Sequence, residues 1–151
     1  MANNNKEVIQ ELVKSYWMEI ETVMNYLSNS VNLDGVRAEE IKKSLAVDIT
    51  EELGHAQSLA KRIKELSGTV PGSMKFKASQ DSLQTMEDTT DVVSVIEGVI
   101  KAEEGGIEQY KKIIRMCDGI DYVTQDICVR LLGMEESHKA EFDGFLKEYK
   151  K

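Results

Sequence analysis

The sequence predicts an all-α protein: a bundle of four helices, arranged as two antiparallel hairpins joined by one long crossover. Three observations predict it. Apolar residues recur at spacings of three and four in four separate stretches, and none of these alternates with period two over any length. Proline occurs once in 151 residues, and the ten glycines are single apart from one adjacent pair. Two of the three connections are short and carry Asp-Gly, a turn signal, whereas the third runs for about twenty residues.

The first stretch, Ile9, Leu12, Val13, Tyr16, Ile20, Val23, Met24 and Leu27, gives α1 over roughly 5–31. Asn32-Leu33-Asp34-Gly35 then turns the chain. Ile41, Leu45, Ile49, Ala56, Leu59, Ile63 and Leu66 give α2 over roughly 37–66, stopped by Ser67-Gly68 and Pro71. Val92, Ile96, Val99, Ile100, Ile107, Tyr110 and Ile114 define α3, with Thr89, Thr90 or Asp91 available to cap it. After Asp118-Gly119-Ile120, α4 begins near 121 and runs through Thr124, Cys128, Leu131, Leu132, Phe142 and Leu146. Short loops make α1–α2 and α3–α4 antiparallel hairpins. The segment 68–88 is long enough to travel back along the bundle, since about twenty extended residues reach about 66 Å against about 42 Å for a helix of about 28 residues.

Length and charge narrow the function. A chain of 151 residues and 17.0 kDa is read as one domain, 1–151. Nineteen basic against twenty-seven acidic residues give a formal charge of -8, which repels nucleic acid and anionic membranes and attracts cations. No secretory leader or apolar run of about 18 residues is present, so no membrane association is expected. Cys117 and Cys128 are read as buried free thiols, which suits a reducing, cytoplasmic location.

Acids interrupt the apolar stripes where carbon belongs. Glu52 lies between Leu45, Ala56 and Leu59; Glu103 between Ile96, Val99, Ile107 and Tyr110; Glu135 between Cys128, Leu131 and Phe142; Glu19 borders the α1 stripe. Glu21, Glu51, Glu104 and Glu136 point away from those centres and are read as solvated or flank-lying. Both histidines of the chain stand three residues after one of the inner acids, as Glu52-x-x-His55 and Glu135-x-x-His138. That spacing puts carboxylate and imidazole on one side of a helix.

The pattern repeats internally. Glu19, Tyr26, Glu52 and His55 map onto Glu103, Tyr110, Glu135 and His138 with offsets of 84, 84, 83 and 83. Glu19 and Glu52 have their midpoint at 35.5, next to Asp34-Gly35, and Glu103 and Glu135 have theirs at 119, on Gly119, so each pair faces across its hairpin. Four carboxylates and two imidazoles therefore share one interior. Their mutual repulsion calls for two divalent cations, and carboxylate-rich ligation without thiolate suits iron or manganese better than structural zinc or copper. Tyr26 and Tyr110, two turns beyond Glu19 and Glu103, can hydrogen-bond a ligand, be oxidised as an electron relay, or simply pack. Asp48, one turn before Glu52, can guide incoming iron, although a solvated flank is the favoured reading. Gly54, Gly105, Gly106 and Gly133 are read chiefly as packing positions.

A Glu on each of two helices and a Glu-x-x-His on each of the other two resembles the di-iron carboxylate proteins of the ferritin-like superfamily, over essentially the whole chain. More narrowly it looks like the bacterioferritin family, by the order Glu19, Tyr26, Glu52, His55, Glu103, Glu135, His138 and the run Leu66-Ser67-Gly68-Thr69-Val70-Pro71. The resemblance implies a ferroxidase centre with two Fe ions per chain, dioxygen or hydrogen peroxide as oxidant, and storage or detoxification of iron in a homo-oligomer, a dimer or a cage. It also implies where the chain departs from the family. The haem-binding Met that follows the α2 Glu is replaced by Leu53, so no haem is expected, and the lack of a fifth helix before Lys151 points away from a 24-subunit shell. Two other readings stand beside it: a rubrerythrin-like peroxide-reducing di-iron protein fed by an external electron donor, and a metal-free helical scaffold.

Overall fold

The structure, a computed structural model, describes residues 2–151, with side chains from residue 5 onward. It is all-α, with α1 spanning Ala2–Asn32, α2 Glu39–Glu65, α3 Val92–Cys117 and α4 Tyr122–Tyr149. Single 3-10 turns occur at Val36–Ala38 and Ser73–Lys75, and no strand occurs among the described residues. Every expected helix is present, within a few residues at each end. None of the described helices is long and apolar enough to cross a membrane.

Local chemistry accounts for the boundaries. Asp91, rather than Thr89 or Thr90, caps α3 by accepting from the Ser94 amide at 3.2 Å, and Asp121 caps α4 through the Thr124 amide at 3.0 Å. Gly35 and Gly119 take φ of 96° and 71°, which the Asp-Gly signals anticipate. At the end of α2 the left-handed residue is Ser67, with φ 68°, and not Gly68. The Ser67 and Gly68 amides return to the Lys64 and Ile63 carbonyls, closing a Schellman motif. Gly68 is needed for space instead: a Cβ there would lie 2.9 Å from Ile9 Cγ2.

α1 packs along α2 and α3 along α4, while α2 and α4 hardly touch each other. The core falls into two apolar clusters. One gathers Tyr26, Leu33, Ile41, Leu45, Ile96, Val99 and Phe142; the other gathers Leu12, Leu59, Ile63, Tyr110, Ile113, Cys117 and Cys128. Both cysteines are buried free thiols, and burial pushes them up to about 11 and about 12 respectively. A polar layer separates the clusters.

The crossover explains one departure from the sequence reading. Glu21, expected to be solvated, is buried, and its carboxylate accepts from the Ser79 and Gln80 amides at 2.9–3.2 Å. Asn25 donates to the Gln80 side chain, Asn29 to the Leu83 carbonyl, and Trp17 stacks at a tilt on Phe76, 5.0 Å between centroids. This half of α1 therefore buries polar groups beneath the strap, and Met24 and Leu27, placed on the inner stripe by spacing alone, are more than half exposed.

Candidate metal centre

The polar layer contains all six expected residues. Glu19, Glu52, His55, Glu103, Glu135 and His138 are 1–6% exposed and converge from the four helices. Donor atoms of Glu19, Glu52, His55 and Glu135 lie within 4.8 Å of one another, and so do those of Glu52, Glu103, Glu135 and His138. Glu52 and Glu135 belong to both groups. Glu19 and Glu103 each belong to one, so the helices that carry Glu-x-x-His also supply the two shared carboxylates.

Each imidazole turns Nδ1 inward. His55 Nδ1 lies 3.3 Å from Glu135, 3.4 Å from Glu52 and 3.6 Å from Glu19; His138 Nδ1 lies 3.2 Å from Glu52 and 3.7 Å from Glu103. None of these approaches is aligned as a hydrogen bond. As a result Glu19 Oε2, both carboxylate oxygens of Glu52, Glu103 Oε2, Glu135 Oε1 and both Nδ1 atoms are buried without a hydrogen-bond partner. Orphaned buried acceptors cost about 1–3 kcal/mol each, and more when charged. Oxygen and imidazole donors aimed at shared space fit two divalent cations, which would satisfy them together.

Of the roles expected for the tyrosines, the hydrogen bond to a candidate ligand is present. Tyr26 Oη donates to Glu103 Oε1 and Tyr110 Oη to Glu19 Oε1, each at 2.6 Å. Each phenol thus fixes the unshared carboxylate of the opposite half. Burial, and then the charge of the neighbouring Glu103 or Glu19, pushes both phenols well above their ordinary range, so they remain donors.

Metal-free, the layer balances its charge with protons. Burial pulls His55 down, but the carboxylates of Glu19 and Glu52 outweigh it and raise the imidazole to about 10. His138, where Glu103 and Glu52 outweigh burial, is raised to about 12. Burial and the adjacent Glu19 lift Glu52 to about 8, and burial lifts Glu135 well above the usual carboxylate range. Cations entering the layer would displace these protons.

Two acids beside the layer stand differently from their sequence reading. Asp48 is buried, not a solvated flank: it lies 3.6 Å from His138 Nε2, and burial raises it to about 7. Glu51, read as pointing away, reaches the same nitrogen and groups with Asp48 and His138. Glu104 and Glu136 are exposed, as expected. Among the glycines, Gly106 serves the site, because a Cβ there would meet Glu135 Oε2 at 3.2 Å. Gly54 and Gly133 have nothing within 4 Å, so packing does not explain them. Only the spacing of three between Asp48, Glu51 and the inner face of α2 hinted at the additional acids.

Comparison with known proteins agrees with the fold. A ferritin-like domain model matches residues 9–151, and the chain belongs to that family. It is 27% identical over 149 residues to bacterioferritin from Desulfovibrio desulfuricans, covering 95% of this chain and 78% of that one. It is 24% identical over 143 residues to the DNA protection during starvation protein of Pyrococcus furiosus, covering 93% and 77%. A dodecameric thioferritin, the bacterioferritin-related protein of Bacteroides fragilis, superposes with a TM-score of 0.87 at 26% identity, covering 96% of this chain and 87% of that one.

Proposed function

We propose that this chain is a ferroxidase that binds two Fe(II) in the polar layer and oxidises them with dioxygen or hydrogen peroxide. The observation that carries this reading is the set of orphaned donors, duplicated by the internal repeat and buried at one level of the bundle. His55 with Glu19 serves one Fe(II), His138 with Glu103 serves the other, and Glu52 and Glu135 are shared. Two Fe(II) supply two electrons. Hydrogen peroxide with two protons gives two Fe(III) and two water molecules; dioxygen with two protons gives two Fe(III) and one hydrogen peroxide.

The protein's own part is placement and charge. Tyr26 and Tyr110 hold Glu103 and Glu19 in orientation, the two Nδ1 atoms offer lone pairs once deprotonated, and the open α2–α4 face provides access. Manganese suits the same donors. Leu53 offers no thioether, so haem has no ligand at that position. The reading takes residues 1–151 as one domain working in the cytoplasm, where its thiols stay reduced. It also takes the exposed apolar row Met24, Leu27 and Val31 on α1 as a contact in a homo-oligomer, consistent with the dodecameric relative.

Stopped-flow mixing of anaerobic Fe(II)-loaded protein with air-saturated buffer tests the assignment. Rapid formation of Fe(III) is expected in the native chain and its loss in Glu52→Ala and His138→Ala. Unchanged rates in both variants would overturn it.

A further inference from the structure

The internal repeat fails at one place beside the centre. The offset of 83 that takes Glu52 to Glu135 and His55 to His138 takes Glu51 to Met134 and Asp48 to Leu131. The two histidines consequently have different outer partners. His138 Nε2 meets the Glu51 carboxylate, with Asp48 Oδ1 at 3.6 Å, whereas His55 Nε2 faces Met134 Sδ at 3.3 Å.

The openings beyond them differ in the same sense. A cavity of about 420 Å³ over His138 is lined by Asp48, Glu51 and Glu141 against one Lys43. One of about 550 Å³ over His55 balances Glu51 and Glu65 with Lys61 and Arg130. Asp48 also keeps a buried oxygen, Oδ2, without a hydrogen-bond partner.

We propose that Glu51 and Asp48 make the two metal positions inequivalent, the position facing His138 Nδ1 filling before the one facing His55 Nδ1. This rests on the di-metal reading above. An Nε2–H donated to a carboxylate fixes the tautomer that leaves Nδ1 free and makes that nitrogen a stronger donor. A thioether sulfur is a weak acceptor and does this poorly. The carboxylates of Glu51 and Asp48 also add negative potential on the His138 side, which attracts a cation there. Both act as positioning residues, through His138 and through their field. Outer partners of this kind change metal affinity by about 10–100-fold, and Glu51 is partly solvated, which puts the expected ratio at about tenfold.

Crystals of the full chain grown anaerobically with one equivalent of Zn(II) test this by anomalous scattering at the zinc edge. The expected result is a peak beside His138 Nδ1 about tenfold stronger than the peak beside His55 Nδ1. Glu51→Gln should bring the two toward equality, and Met134→Glu should do so from the other side by strengthening the His55 position. Equal peaks in the native chain, a stronger peak at His55, a peak held outside the layer between Asp48 and Glu51, or an undiminished preference in both variants would overturn the inference. Zinc at none of these places would overturn the di-metal reading as well.

Discussion

Tyr26 and Glu103 are joined across the bundle, the phenol on α1 donating to the carboxylate on α3 at 2.6 Å, and Tyr110 and Glu19 repeat the bond in the opposite sense at 2.6 Å. The two halves therefore orient each other's unshared acids. Tyr26→Phe and Tyr110→Phe should retain the helical fold and lower affinity for Mn(II) about tenfold each, as measured by anaerobic titration calorimetry. Native affinity in both would reduce the phenols to packing.

The protons that stand in for cations make metal-free stability depend on pH. Folding raises His55 from 6.5 to about 10, so its contribution is full below pH 6.5 and is lost as pH rises through about 10. His138, raised to about 12, and Glu52, raised from 4.5 to about 8, act with the same sign, because the folded chain binds more protons than the unfolded one. The Tm of metal-free protein should fall by about 5 °C or more between pH 6.5 and 9.5, and saturation with Mn(II) should flatten the profile. A metal-free Tm that rises over this range would contradict the assigned charge states.

Gly106 tests whether the site constrains the backbone beside it. Gly106→Ala would place a Cβ 3.2 Å from Glu135 Oε2, displacing a shared carboxylate, and should lower Mn(II) affinity at least about tenfold. Gly54→Ala, with nothing within 4 Å, should leave affinity intact and stabilise α2 by about 1 kcal/mol. Thermal melts with and without Mn(II) distinguish the two, and equal metal-induced shifts would contradict the placement of Glu135.

The difference between what was legible in the sequence and what was not follows from periodicity. Glu52, His55, Glu103, Glu135 and His138 interrupt regular stripes on helices whose turns fix their level, so spacing alone brings them together. Periodicity locates the inner face of a helix but not what covers its flank. Glu21 is buried because an irregular strap lies over it, and no repeat marks the path of that strap. Asp48 and Glu51 escape periodicity for a related reason: α2 and α4 stand apart, which leaves room for flank acids to turn toward His138. The Schellman hydrogen bonds put the left-handed residue at Ser67, whereas the adjacent Gly68 is required by its close approach to Ile9, and a turn signal read from sequence does not separate the two.

The central claim is that the layer between the two apolar clusters accommodates a pair of cations per chain. Anaerobic titration of the metal-free protein with Fe(II), followed by calorimetry, measures this directly. The account predicts saturation at two equivalents per chain with release of protons, and no saturable binding in Glu52→Ala combined with Glu135→Ala. Saturation at fewer than two equivalents in the native chain, or an unaltered isotherm in the double variant, would contradict it.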